Sequence, residues 1–309
     1  MSTVVLPQLR PDDAEVVVPA PGRGAGFWAG APSATRTSDG WWLAYRIRRP
    51  DCAGSGVAVV LARSDDGVRF EPVATVDRGV FDAASLERSA LVAWPGGGWR
   101  LFVSCATPDS RRWWIDSLEA ATVRQLPSGR RRVVLPCDRS TGFKDPVVEP
   151  EVQDGWRMWV CCHPLDDAGY EDRMTTRLFT SPDGESWRAG PTVLEPRPGS
   201  WDQRGARLTA VLAGAPGEPT VGFYDGRASA EEDSFERTGV ALLTSDGRFA
   251  ATGTEPVGES PYGAGALRFV SAVPLGESRF RLFYEAARPD GAHDLMTQLI
   301  TTSHRRGLW

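Results

Sequence analysis

Asparagine is missing from all 309 residues, which rules out N-glycosylation sequons. Lysine is almost missing: the 35 Lys+Arg residues include a single lysine, Lys144. No apolar run approaches the roughly 18 residues that cross a bilayer, so no membrane partner is expected. The opening stretch "MSTVVLPQLRPDDAEVVVPAPG" has no basic segment leading into an apolar one. A secretion signal is therefore not expected, and a cytoplasmic location is. The five cysteines (Cys52, Cys105, Cys137, Cys161, Cys162) are odd in number and lack metal-ligand spacing, so free thiols are expected and a zinc site is not. A net charge of −5 and a pI near 5.4 exclude the broad basic face that nucleic acid requires. The arginines at 46, 48 and 49 and at 130–132 read as solvated loops and strand ends. "GRGAGFWAGAP" (22–32) is glycine-rich but has no strand–loop–helix setting, and no cofactor is expected.

What remains is turn and strand chemistry. Gly (33), Pro (24), Trp (12) and Phe (12) are frequent, as in a turn-rich, all-β globular chain. Five aromatic segments recur about every 60 residues: "GWWLAYR" (40–46), "GWRLFVSC" (98–105), "GWRMWVCC" (155–162), "TVGFYDG" (220–226) and "FRLFYEA" (280–286). Each follows a small-residue, β-branched strand: "APSAT", "ERSALV", "DPVVEP", "RLTAV" and "LRFVSAV". Third strands end in Asp-Gly turns, "SDDGVRF" (64–70), "SPDGESW" (181–187) and "SDGRF" (245–249), where glycine supplies positive φ. Fourth strands follow, as in "FEPVATV" and "GPTVLEP".

The unit is thus four antiparallel strands, repeated over 22–80, 81–138, 139–198, 199–258 and 259–309. The last repeat ends after its third strand, and "AEVVVPAP" (14–21) is an orphan fourth strand that completes it. Radial arrangement protects the edges of such units. The expectation is one all-β domain, a five-bladed β-propeller latched by its N-terminal strand. In such a ring the first strand of each repeat lines a channel. Alignment of the repeats puts Ala31, Glu87, Asp145, Arg207 and a residue near Leu267–Arg268 in equivalent places. Charges there are costly unless paired or used.

Five blades, an Asp-Pro heading an inner strand and the Asp-Gly turns resemble the furanosidase propeller superfamily of glycoside hydrolases: arabinanases, xylosidases, invertases and levan-degrading enzymes. "KDP" (144–146) is similar to the "RDP" of invertase-type members. The resemblance implies that Asp145 stabilises the transition state or tunes its neighbours and that Lys144 helps hold the sugar. It also implies three carboxylates, on the first, third and fourth repeats, because glycoside cleavage needs one carboxyl to protonate the leaving oxygen and another to attack or activate water. The sequence departs from this pattern at Ala31 and Arg207, which stand where a base and an acid are expected. Glu87 and Asp202 are the carboxylates placed to join Asp145 in catalysis.

Trp28 offers a stacking platform beside Phe27. Arg204 and Arg207 can clamp a ligand bidentately. Arg46, Asp225, Arg227 and Glu285 end second strands, and His163 and His293 are candidate proton carriers. Tyr262, ahead of the fifth inner strand, completes the candidates for ligand contact. Strand alternation puts Lys144 and Asp145 on opposite sides. Three readings stay open: glycoside cleavage with relocated carboxylates, a non-hydrolytic cyclisation, elimination or rearrangement, and a catalytically inactive carbohydrate-binding propeller. All three imply a carbohydrate or small-molecule ligand.

Overall fold

A computed structural model describes residues 3–5, 9–94, 96–107, 112–151, 155–214, 218–276, 278–301 and 303–305. The end of the fifth repeat, 306–309, lies outside the described residues. Among the described residues the chain is nearly all strand, interrupted by short 3-10 turns.

Four antiparallel strands make each repeat. The first set is Trp28–Thr37, Gly40–Arg48, Gly56–Ser64 and Glu71–Asp77. The second is Ser85–Ala93, Trp99–Ala106, Trp113–Ala120 and Arg130–Leu135. The third is Thr141–Glu151, Gly155–Pro164, Thr175–Ser181 and Arg188–Leu194. The fourth is Gly205–Leu212, Val221–Arg227, Arg237–Leu243 and Phe249–Thr252. The fifth is Leu267–Gly276, Arg279–Ala287 and His293–Thr301, completed by Glu15–Val18 from the other end of the chain. Glu15 pairs with Thr297 and Val18 with Leu295, as the orphan-strand reading expects. The first and fifth sets join into one eight-stranded sheet only through a single parallel pairing of Trp28 with His293. A separate two-stranded ladder pairs Thr3–Val5 with Ser303–Arg305.

The core sits between sets, because each sheet buries both faces against its neighbours. Trp42, Leu61 and Val76 of the first set pack on Leu86, Leu101 and Leu118 of the second. Phe102 and Ile115 meet Phe143, Met158 and Phe179. Trp159 and Val193 meet Leu208 and Tyr224. Phe223 and Val240 meet Leu267, Leu282 and Tyr284, with Leu9 inserted from the N-terminal segment. Leu43 and Tyr45 return to Phe283 and Leu295. Consecutive inner strands touch, and the fifth touches the first, so the inner strands surround a central channel.

The Asp-Gly turns carry both local and packing information. Asp66 Oδ1 accepts from the amides of Val68 and Arg69 at 2.8 and 2.9 Å, and Asp183 Oδ1 accepts from Glu185 and Ser186 at 2.8 Å each. The following glycines, Gly67 and Gly184, adopt φ of 76° and 68°, and a Cβ there would lie 2.7 or 2.8 Å from the ring of Trp41 or Trp156. Turn and aromatic strand are therefore selected together. Gly169 has φ of 81° but nothing within 4 Å of a Cβ. Gly169→Ala is expected to cost about 1 kcal/mol and Gly184→Ala roughly 2–3 kcal/mol, read from urea midpoints. Equal costs would show that the tryptophan contact is not what fixes the turn.

Candidate functional site

Each inner strand carries a β-bulge at the same depth. The ladder slips between Gly30 and Ser33, Leu86 and Ser89, Lys144 and Val147, Leu208 and Ala210, and Arg268 and Ser271. Gly30, Leu86, Lys144 and Arg268 pair with Arg46, Cys105, Cys161 and Glu285 just before the slips, and Arg207 pairs with Asp225 one position ahead of its own, three residues before the ladder resumes at Ala210 as in the other sets. This register corrects the sequence alignment by one residue in two repeats. The equivalents of Ala31, Glu87 and Asp145 are Leu208 and Phe269, while Arg207 and Arg268 stand where the third repeat has Lys144. Pattern alone could not locate a bulge, because it adds a residue to one strand only.

The bulges also fix backbone conformation and charge. Ala31, Asp145 and Phe269 have φ of 48°, 55° and 59°. Their amides leave the ladder and find acceptors on a neighbouring set. Ala31 N donates to Glu285 Oε2 at 3.2 Å, Phe269 N to Asp225 at 3.0 Å, and Asp145 N to Ser104 Oγ at 2.7 Å. Gly30 keeps the space open, since a Cβ there would lie 2.1 Å from Glu285 Oε2. The carboxylates recruited in this way are fully buried and collect cations. Arg268 binds Glu285 Oε1 at 2.9 Å and Glu236 Oε2 at 2.6 Å. Arg207 binds Asp225 at 2.7 Å and Asp145 at 2.9 Å, with its guanidinium 4.0 Å above the ring centre of Phe269. Arg46 bridges Glu285 and Glu87. One ion network thus joins all five sets.

Protonation follows from this geometry. Burial alone would raise the Asp145 carboxyl, but Lys144, Arg207, Arg88 and Arg46 outweigh it and hold it below the usual range. Glu236 and Glu285 are likewise held low against their burial, chiefly by Arg207 and by Arg268 respectively. Asp225 differs: burial, reinforced by Glu236, raises it to about 6 despite Arg207. Arg88 crosses the channel, its Nη2 donating to the carbonyls of Thr209 at 2.6 Å and Val270 at 3.2 Å. Burial and Arg207 bring its pKa down to about 10. Arg88 also lines a cavity of about 220 Å³ in the channel with Ser33, Thr35 and Ser271.

Both candidate histidines are buried strand residues rather than loop groups. His163 stacks obliquely on Trp113 with ring centres 5.0 Å apart, and burial plus Lys144 and Arg227 lower its pKa to about 3. His293 lies against Trp28, 4.6 Å between centres, and Nδ1–H donates to Glu285 Oε1 at 2.7 Å. Burial, Arg268 and Arg46 keep it below its ordinary value despite Glu285, so the ring is neutral and Nε2 is a bare acceptor. Trp28 is 5% exposed and flanked by Arg48 and Arg268, a walled ring and not an open platform.

Other sequence candidates fall elsewhere. Asp202 is bound by Arg197 Nε at 2.8 Å and by the Tyr224 hydroxyl at 2.8 Å, neither of which belongs to the network. Arg204 forks onto Asp172 at 2.6 and 3.0 Å, and Asp172 also meets Arg227, which ties this outer pair to the network through Glu236 at 3.5 Å. Tyr262 is an exposed loop residue whose amide bonds Ser260 Oγ. Arg46 is 2% exposed and is not a solvated strand end, whereas Arg49, past the end of its strand, is exposed; Arg130 and Arg132 face outward, both paired to Glu185. Lys144 and Asp145 are not on opposite sides: the bulge breaks alternation and brings Nζ to 3.9 Å from Oδ2. Arg268 could have been found from the repeat register, whereas Glu236, on a connection between strands, left no signal. At the leading ends of the inner strands, the mouth of the channel on the other side of the bulges from the cavity that Arg88 lines, three groups keep solvent access: Glu87 at 17%, Lys144 at 15% and Arg48 at 15%. No group of three or more His, Cys, Asp or Glu among the described residues is arranged to hold a metal ion.

No family model and no curated protein matches the chain. Solved structures do. A glycosyl hydrolase from Bacteroides ovatus superposes with a TM-score of 0.63 at 14% identity, over 95% of this chain and 90% of that one. A thermostable family-43 glycoside hydrolase gives 0.65 at 14% identity, over 91% and 95%. A member of the GH130 family of mannoside phosphorylases, which contains glycoside hydrolases targeting β-1,2 mannosidic linkages in Candida mannan, gives 0.61 at 14%, over 95% and 90%. The chain therefore has a β-propeller fold of the glycoside-hydrolase kind.

Two predictions follow from the buried charges. Asp145→Asn leaves Arg207 short of a counter-charge and is expected to cost about 3 kcal/mol in a urea melt; a change below about 0.5 kcal/mol would refute the pairing. The second concerns acidification. Neutral buried histidines bind fewer protons than the unfolded chain below pH 6.5, so stability present above that pH is lost as pH falls. Asp225, raised to about 6, acts oppositely, binding a proton in the fold between pH 6 and 4. His163, lowered to about 3, and Asp225 oppose one another over this range, and the lowering of His293 tips the balance to a net loss on acidification. Urea melts of wild type and His163→Gln at pH 7 and 5 check this: the variant should lose distinctly less, and an unchanged loss would contradict the assignment.

Proposed function

We propose that this chain is a five-bladed carbohydrate-binding propeller that has the glycoside-hydrolase scaffold without a two-carboxylate reaction centre. Five four-stranded sets whose inner strands touch in a closed order support the blade count. The carrying observation is the state of the inner strands. At the depth where Asp145 stands, the first and fourth sets have Ala31 and Leu208. Asp145 itself is fully buried, ionised and bonded to Arg207. Glycoside hydrolysis needs two carboxyls on either side of the scissile bond, one of them protonated to assist the leaving oxygen. Among the described mouth groups only Glu87 is a carboxylate with solvent access, and Arg46 and Ser85 hold it.

What the mouth retains suits binding. Trp113 and Phe27 are half-buried aromatics near it, and Glu87, Lys144 and Arg48 are partly exposed groups able to accept from or donate to hydroxyls. The test is a panel of nitrophenyl furanosides and pyranosides assayed for release and, in parallel, for binding by tryptophan fluorescence. Fluorescence quenching without turnover is expected, with Glu87→Gln weakening it. Turnover by wild type that vanishes in Glu87→Gln would overturn this reading in favour of relocated-carboxylate hydrolysis.

A further inference from the structure

We infer that the ligand of the channel mouth is an anionic sugar, one bearing a carboxylate or a phosphate ester, and that Lys144 and Arg48 receive its charge. The inference rests on the carbohydrate-binding reading above and names the class of ligand.

Lys144 is the central observation. Its ammonium has three N–H donors and makes no hydrogen bond among the described residues. Its one carboxylate contact, Asp145 Oδ2, is 3.9 Å away and already accepts from Arg207 at 2.9 Å. What holds the ammonium in place is the face of Trp113, 5.0 Å from Nζ to the ring centre. A cation over an aromatic face is positioned without using its N–H donors, so all three stay available to an incoming anion. Register explains the residue. Lys144 occupies in its set the place that Arg207 and Arg268 occupy in theirs, and those two spend their guanidinium forks on buried carboxylates. Opposite Lys144 on the second strand is Cys161, not an acid, so here the cation has no carboxylate partner across the ladder.

Arg48 repeats the arrangement on the first set. Its guanidinium lies 4.2 Å from the ring centre of Trp28, and its carboxylate partner, Asp51, is 82% exposed, where a pair contributes little. Glu87, the mouth carboxylate with solvent access, is committed to Arg46. Neighbouring cations act on two of the groups beside the mouth. Burial and then Arg46 hold the Arg48 guanidinium below its ordinary range, and Lys144 and Arg227 add to burial in lowering His163 to about 3. A neutral sugar would leave Lys144 with only its 3.9 Å contact to Asp145 and Arg48 with only an exposed partner, and an anionic group adds a nearer counter-charge to both.

Calorimetric titration of the full chain decides the matter. The probes are methyl glycosides of the gluco, galacto and manno series, each beside its uronate and its 6-phosphate, with inorganic phosphate alone as a further arm. At least one anionic sugar is expected to bind about tenfold or more tightly than its neutral parent, the equivalent of one well-placed ion pair. Raising salt should erode that preference. Lys144→Gln should reduce it to threefold or less, with affinity for the neutral parent falling by less than affinity for the anionic sugar. The uronate and phosphate arms tell the two anion chemistries apart. Equal binding of neutral and anionic sugars would sink this inference and leave the carbohydrate reading standing. No binding of any sugar would sink both. Inorganic phosphate binding as tightly as the phosphosugars would overturn the inference by revealing an ion site with no sugar recognition.

Discussion

A main-chain amide turned out of its ladder needs an acceptor, and that need organises the channel mouth. Ala31, Asp145 and Phe269 each expose such an amide at a bulge, and Glu285, Ser104 and Asp225 supply the oxygen from the next sheet. Two of these acceptors are carboxylates in a space that excludes water. A buried carboxylate is tolerable only beside a cation, hence Arg268, Arg46 and Arg207. Those cations in turn hold Glu236 and Asp145. The charges at the mouth are therefore first a way of closing bulges between sheets. What is left over after that pairing, Lys144, Arg48 and part of Glu87, is what a ligand can meet.

This origin explains how charges that converge in sequence can be used up in pairing between sheets. Acids and arginines that converge on a channel suggest a reaction centre, yet here most of them satisfy one another. Asp145 illustrates the point. It sits where the resemblance places a functional aspartate, but it gives one oxygen to the Arg88 amide at 3.3 Å and the other to Arg207. An acid so engaged stays ionised and cannot deliver a proton.

The architecture was legible because strands advertise themselves. "GWWLAYR" and its four counterparts combine β propensity with a fixed spacing, and the Asp-Gly turns mark the ends of third strands. The orphan strand before the first repeat was legible from phase alone. The placement of charges on the inner strands was legible to within one residue and no closer. Glu87, Asp145, Asp225 and Glu285 do converge, but a bulge shifts register by a residue with no required glycine, so Arg207 was matched to Asp145 when its counterpart is Lys144. Asp202 misled because proximity in sequence to an inner strand says nothing about which way a loop carboxylate turns. Glu236 could not have been found, since its role depends on three arginines from three strands meeting it in space.

The pairing of Glu15–Val18 with the strand His293–Thr301 has a consequence for synthesis on the ribosome. The edge that the first of these segments must cover does not exist until about 280 residues after it have been made. Each of the first four sets can form behind the ribosome from contacts local in sequence, while the N-terminal segment waits unpaired. Its β-branched "VVV" run is an open strand edge for that interval, and such edges attract other chains. The residues on either side, Asp12, Asp13 and Glu15 before it and Pro19 and Pro21 after it, are charged or unable to donate to a ladder. They guard the segment until the last set arrives to take it.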